Sequence, residues 1–310
     1  MALTKVTNDL QDALAAAQPT ITSVGTLTGF TSTGIDDNAT SNAITIDASE
    51  NVGIGVTPEA WDSSYTAAQI GPTGSIASGT TYVAVGQNWY RDSGGHKYLT
   101  TDEASLYFGL NGTHEFRVAP SGTADAAITW TTAMAIDNGG RVTQPYQPAF
   151  NVRGNTSGWW GFPNAGSYYP VNSTTVSAQT TSGNLAGFNV VASGLGCYNT
   201  GSHYNLSTTT FTAPVAGRYF FYGQALTRRN GTTQTDYPSM GFLLNSTFTQ
   251  SGWDQGLYLG TTSSGAEFVL KASQSIYMNA YDTMSVYLGA SSTSIQWYGD
   301  RFSFGGYLIG

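Results

Sequence analysis

Apolar side chains in this chain come in short alternating runs, separated by clusters of Gly, Thr, Ser and Asn. A period of two marks a strand with one covered face. The C-terminal half offers ten such runs: "AFNVRG", "FNVVAS", "TTTFTAP", "GRYFFYGQALT", "SMGFLLN", "GAEFVLK", "SIYMNAY", "MSVYLGA", "SIQWYG" and "FSFGGYLI". Ten short strands with turns between them predict a two-sheet sandwich. In the last run, Phe302, Phe304 and Leu308 fall on one side of an extended chain and Tyr307 and Ile309 on the other. A strand apolar on both faces asks to be covered on both.

Helical spacing occurs once. Leu3, Val6, Leu10, Ala13 and Ala17 recur every three or four residues, with Pro19 just beyond, which predicts a short amphipathic helix. Alone it is too short to be stable in water, so it either caps a bundle held together elsewhere or docks on another surface. Residues 20–40 are rich in Gly and Thr and read as a linker or as fibre completed by neighbouring chains.

Two segments repeat the pattern A-x-x-I-D-x4-V, "AITIDASENV" at 43–52 and "AMAIDNGGRV" at 133–142, each a predicted hairpin. Between them "TYVAVG", "YLTT", "SLYFGL", "HEFRVA" and "AITW" are further strand candidates. Their bulky residues are few for a single-chain core, so burial between chains is expected. "QPYQPAF" at 144–150 places two prolines at spacing three, which stiffens the chain and interrupts sheet pairing. The expected organisation is an attachment helix and linker at 1–40, a β-rich fibrous stalk at 41–145 and a β-sandwich at 146–310.

Charge sharpens that division. Residues 1–145 carry 14 acids and 5 bases, whereas residues 146–310 carry 5 and 6. A nearly neutral distal part is a poor partner for nucleic acid. No run of apolar residues is long enough for a transmembrane helix, and the start "MALTKVTNDLQ" has no basic and apolar leader, so neither membrane insertion nor a signal peptide is expected. The single Cys197 allows no intrachain disulfide.

"HYNLSTTTFTAPVAGRYFFYGQALT" at 203–227 reads strand, turn, strand. It resembles the globular head of complement and short-chain collagens, within the tumour-necrosis-factor-like jelly rolls, through Phe211, Thr212, Pro214, Gly217, Tyr219 and Phe221. The closing "FSFGGYLI" resembles that family's last strand through Phe304, Gly306, Tyr307 and Leu308, and Tyr281-Asp282 stands where the family has Gly-Asp. The resemblance implies an all-β jelly roll over roughly 148–310 whose final strand lies centrally beside the first. It also implies a homotrimer packed through that sheet, with Tyr307 and Ile309 as interface candidates and Leu3, Val6 and Leu10 joining them at the N-terminus. Segments such as "ITIDASENVGIGVTP", "HKYLTTDEAS" and "VAPSGTADAAITW" resemble tail-fibre and related virion proteins of marine tailed bacteriophages. That implies a fibre mounted by its N-terminus on a phage tail or another virion protein.

The chemistry the residues permit is sparse. His96, His114 and His203 lack metal-ligand spacing, no G-x-S-x-G nucleophile elbow occurs, and neither metal nor cofactor is expected. The distal acids Asp236, Asp254, Glu267, Asp282 and Asp300 are isolated in sequence, so polysaccharide cleavage by a carboxylate pair ranks last among the readings. Recognition remains, because aromatic faces stack on sugar rings and neutral polar groups satisfy hydroxyls. The receptor-binding candidates lie in three loop-like stretches. They are Trp159, Trp160, Tyr168 and Tyr169, then Arg228, Arg229 and Asp236, then Trp253 and Tyr258. The expectation is therefore a non-enzymatic virion tail fibre whose head binds a bacterial surface glycan or outer-membrane receptor. The alternative is a purely structural virion fibre, decoration or connector.

Overall fold

A computed structural model describes residues 43–154, 157–161, 167–171, 190–192, 196–231, 237–249 and 264–310. The expected N-terminal helix, with Leu3, Val6 and Leu10, lies outside them, as do residues 20–40. The first strands are β1 (Ile44–Ile46), β2 (Val52–Ile54), β3 (Thr66–Ile70), β4 (Gly74–Ser78), β5 (Tyr82–Gln87), β6 (Tyr90–Asp92) and β7 (Gly95–Lys97). β8 (Asp102–Leu110), β9 (Thr113–Gly122), β10 (Thr131–Ile136) and β11 (Val142–Thr143) follow. The chain divides into two units, Met1–Phe108 with Ala119–Thr129, and Gly109–Val118 with Trp130–Gly310.

In the first unit β1 to β5 lie side by side in chain order, antiparallel except for the parallel pair β2 and β3. The core face of the sheet is built from small residues. Ala67, Ala77 and Ala84 stand opposite one another across three strands and are all buried. A floor of methyl groups leaves depth for large rings, and Trp61, Tyr65, Trp89, Tyr90 and Tyr98 are all buried in this unit. Trp61 meets Trp89 edge-on at 5.3 Å and tilts against Tyr65 at 6.2 Å. The expected shortage of core in this region is thus corrected: rings from turns and strand ends supply what the strands lack.

Two strand candidates fail here for a related reason. "YLTT" is irregular because Asn88, fully buried at φ 56, grips it. The Asn88 amide donates to the carbonyls of Thr100, Asp102 and Glu103 at 3.0–3.1 Å, and its oxygen accepts the Thr100 N–H at 2.7 Å. "AITW" holds only an isolated bridge between Lys97 and Ala127.

The two repeated segments both turn on their aspartate. Asp47 Oδ1 accepts the N–H groups of Ser49 and Asn51 at 2.8 and 2.9 Å. Asp137 Oδ1 accepts those of Gly139 and Arg141 at 2.8 and 3.1 Å. The fourth residue reaches back to the other oxygen in each case, Asn51 Nδ2 at 3.0 Å and Arg141 Nε at 2.7 Å. Each turn needs a left-handed residue one step earlier, Glu50 at φ 66 and Gly140 at φ 77. The conserved element of the pattern is therefore a carboxylate that satisfies turn amides which strands leave unpaired.

In the second unit the remaining strands are β12 (Ala149–Gly154), β13 (Trp159–Gly161), β14 (Ser167–Pro170), β15 (Val190–Val191), β16 (Tyr198–Thr200), β17 (Tyr204–Asn205) and β18 (Thr210–Thr212). The long strand β19 (Gly217–Arg229) follows, then β20 (Ser239–Leu244), β21 (Thr247–Phe248), β22 (Glu267–Met278), β23 (Thr283–Ala290) and β24 (Ile295–Leu308). They form a jelly-roll sandwich. One sheet has the order β15-β12-β24-β19-β22 with β13 and β16 attached, the other β17-β18-β23-β20-β21 with β14 attached. "GAEFVLK" and "SIYMNAY" fuse into β22, and "SIQWYG" and "FSFGGYLI" into β24, which absorbs their junction with a bulge opposite Ala225 and Thr227.

The strands alternate cleanly. Tyr219, Phe221 and Ala225 of β19 point inward with Phe302 and Phe304 of β24, each at most 1% exposed. The residues around 211–221 pack on one another: Phe211 lies 5.4 Å from Tyr219 and 5.7 Å from Phe221, and the Tyr219 hydroxyl donates to the Val215 carbonyl at 2.8 Å, closing the Pro-containing turn. β24 lies between β12 and β19. The Leu308 N–H reaches the Pro148 carbonyl at 3.0 Å, so the sandwich begins and ends at one place. Gly305 and Gly306 make room for rings: a Cβ on Gly305 would run into Tyr222 and sit 2.9 Å from the Phe150 carbonyl oxygen.

Candidate functional site

The outward side of the β12-β24-β19-β22 sheet changes character along its length. At the end nearest the C-terminus it is aromatic. Tyr307 lies opposite both Ala149 and Phe220, with its ring 5.6 Å from that of Phe220. Tyr307 is 42% exposed, Tyr277 57% and Ile309 52%. The middle is polar: one row across the sheet reads Arg153, Ser303, Gln224, Lys271.

The far end carries a cation–aromatic cluster. Gly158, at φ 131, turns the chain into β13, which pairs with β24 so that Trp159 stands opposite Tyr298. Arg228 of β19 stands opposite Gln296 of β24. The Arg228 guanidinium carbon lies 4.0 Å from the centre of the Trp159 ring, its Nε donates to Gln296 Oε1 at 2.9 Å, and Tyr298 closes edge-on to Trp159 at 4.9 Å. Stacking fixes the guanidinium plane and leaves its terminal N–H groups as oriented donors.

The polar row opens into a groove of about 640 Å³, which Arg153, Gln224 and Ser303 line. Arg153 and Arg301 line it with donors, and Gln224, Glu267 and Asp300 with acceptors. Asn151 contributes an amide whose Nδ2 donates to the Gly196 carbonyl at 2.5 Å, while its Oδ1 has no hydrogen-bond partner among the described residues. Asp300 accepts the Ser157 hydroxyl at 2.8 Å and approaches the Arg301 Nε at 3.5 Å. Planar apolar faces beside paired donors and acceptors, with little net charge, suit a polyhydroxylated ligand.

The structure joins two of the receptor candidates, Trp159 and Arg228, and separates others. "GWWGFPNAGSYY" is not a single loop, since Trp160 lies in β13 opposite Trp297 and Tyr168 and Tyr169 lie in β14 on the other sheet. The cause is strand pairing: the aromatic stretches at 159–161 and 167–170 find partner strands, one in each layer. Arg229 is fully buried, on the core side of β19, so it presents nothing to solvent. Asp236, Trp253 and Tyr258 lie outside the described residues. Among the described residues no three His, Cys, Asp or Glu side chains gather to hold a metal. His96 instead accepts the Trp89 indole N–H at 2.7 Å. Sequence reasoning missed Tyr298, Gln296 and the row of Arg153, Gln224 and Lys271. Their outward phase was readable, but only the register puts them side by side.

Comparison with known proteins adds a likeness among solved structures. No protein-family model matches the chain. No curated protein matches it either. Among solved structures it is similar to the globular domain of zebrafish complement 1qA protein, at 17% identity and a TM-score of 0.32, over 53% of this chain and 98% of that one.

Proposed function

We propose that the chain is a subunit of a homotrimeric bacteriophage tail fibre, mounted on the virion by its N-terminal residues, whose jelly-roll head binds a bacterial surface glycan without cleaving it. The observation that carries this reading is the Trp159–Arg228 stack on the sheet that also lines the open groove. It pairs a hydrophobic plane with fixed donors, as pyranose rings require, and it asks for no ligand charge. The exposed aromatic end with Tyr307 and Ile309 serves as the contact between heads, leaving the Trp159 end free. Three heads per fibre allow weak single sites to act together.

The test uses a panel of purified bacterial lipopolysaccharides and capsular polysaccharides. Wild-type protein binds at least one of them, and Trp159→Ala and Arg228→Ala each weaken binding at least about fivefold, the equivalent of losing roughly 1 kcal/mol of stacking. Binding that survives both substitutions unchanged, or a protein that ignores the whole panel, refutes the assignment. A second reading has one observation behind it: Glu267 and Asp300, isolated in sequence, both line the same groove. Release of reducing sugar, abolished by Glu267→Gln, would replace binding with cleavage.

A further inference from the structure

The first unit has a second face. Opposite the alanine floor, the strands β1 to β5 point aliphatic side chains outward in register. Ile44, Ile54 and Ile70 form one row. Ile46, Val52, Ala68, Ile76 and Val85 form the next, across all five strands. Val83, opposite Ser78, begins a third. Ile44 and Ile46 are 63% and 68% exposed, and Ile54, Ile70, Ile76, Val83 and Val85 each 43–47%. We infer that this face is an interface between copies of this chain.

Three observations favour a second copy over other occupants. The first is area. The seven exposed aliphatic side chains present roughly 650 Å² between them, beyond what a monomer usually leaves bare and close to the 800 Å² per partner of a standard interface. The second is charge. The described part of this unit carries eight acids and two bases, yet the outward positions of β1 to β5 hold no charged residue. Two copies of this unit repel where their acidic surfaces approach, whereas a cationic partner would be drawn to the acidic surroundings and gain nothing here. The third is shape. Flat rows of Ile and Val from two sheets interdigitate at about 10 Å separation, and identical faces meet that need without a matched partner. A lipid surface is disfavoured because the face has neither the basic side chains nor the Trp and Phe that interfacial elements use.

The inference rests on the multi-copy assembly proposed above but on a different unit, so it can fail alone. The 310-residue chain carrying Cys197→Ser receives a single cysteine, either Ile76→Cys on the face or Tyr281→Cys, whose native side chain is 81% exposed, as a reference. Both are treated with a maleimide while mass is followed by light scattering. Ile76→Cys reacts at least about tenfold more slowly than Tyr281→Cys in a particle containing two or more chains, because labelling waits for separation. The double variant Ile76→Glu and Val85→Glu, at sites exposed in a folded single chain, lowers the fraction of assembled particles. Equal labelling rates overturn the inference. So does protection in a single-chain particle, which would show that the protein's own first 42 residues cover the face. Glycan binding is read separately: a head that binds nothing leaves the labelling result standing, and an accessible Ile76→Cys leaves the head assignment standing.

Discussion

Gly306→Ala tests the packing logic of the sandwich at its centre. Gly306 lies in β24 opposite Phe150 on one side and Phe221 on the other. A methyl group there would sit 2.5 Å from Phe221 Cδ1 and 3.1 Å from Phe150 Cε1. Relief requires a shift of about 1 Å, in an interior packed as densely as an organic crystal. The Phe221 ring has little freedom to give, since Phe150, Phe211, Tyr219, Phe242 and Phe304 surround it at 5.7–6.3 Å between centroids. Overpacking of this kind costs about 1–3 kcal/mol. Replacing glycine recovers about 0.4–1 kcal/mol by restricting the unfolded chain, so the net loss is about 1–2 kcal/mol. For a domain of this size that lowers the melting temperature by roughly 3–8 °C. Gly161→Ala is the control, because a Cβ at that strand position meets nothing within 4 Å. The assay is thermal unfolding followed by near-ultraviolet circular dichroism. Adding Phe221→Leu to Gly306→Ala should cost less than the two single changes combined. A Gly306→Ala melting temperature within about 1 °C of the Gly161→Ala value, against the several degrees expected from overpacking, refutes the reasoning.

Other consequences are equally direct. Asn88→Ala removes the side chain that pairs three carbonyls and an N–H, and should destabilise the first unit by about 2–4 kcal/mol in guanidinium titrations. Tyr281, 81% exposed at φ 70, occupies a conformation that glycine adopts freely, so Tyr281→Gly should raise the midpoint by about 0.5–1 kcal/mol of stability. The Asp282 carboxyl is held below its usual range by the Asn245 amide and the Asn279 N–H, and Asp137 by the N–H and side chain of Arg141. Stability from such depressed groups is full above the unfolded value of 3.8 and lost as pH falls through the folded ones, so the second unit, which holds both, should weaken below about pH 4 in acid titrations. Burial, with Asp125 nearby, pushes Glu59 up from 4.5. A raised carboxyl favours the fold at low pH and opposes it once ionised, so Glu59→Gln should help more at pH 7 than at pH 4.

What could be read in the sequence follows from where the signal is local. β19 and β23 were visible because alternating aromatics and aliphatics on a buried sheet leave few other readings. β3 and β4, "TAAQI" and "GSIAS", were invisible, because their inward residues are alanines whose role depends on rings arriving from elsewhere. β22 and β24 read as two strands apiece, since charged or glycine positions on the outward face interrupt the pattern without interrupting the backbone. Trp159 and Arg228 were singled out as residue types, while their stacking depends on β13 and β19 flanking one strand, a fact of register. Arg229 shows the limit from the other side: next to Arg228 in sequence, it faces the core because a strand inverts direction at every residue.

The placement of β24 ties the sandwich to its own completion. Gln147 and Leu308 are 161 positions apart yet bonded at 3.2 Å, and β24 fills the gap between β12 and β19. A polypeptide broken off before Ile295 leaves those two strands facing an empty slot with their aromatic undersides bare, unable to shut the barrel-like shell. Closure of so long a loop is slow and comes late. Truncated products therefore stay open, whereas chains that carry β24 can bring the two halves of that sheet together.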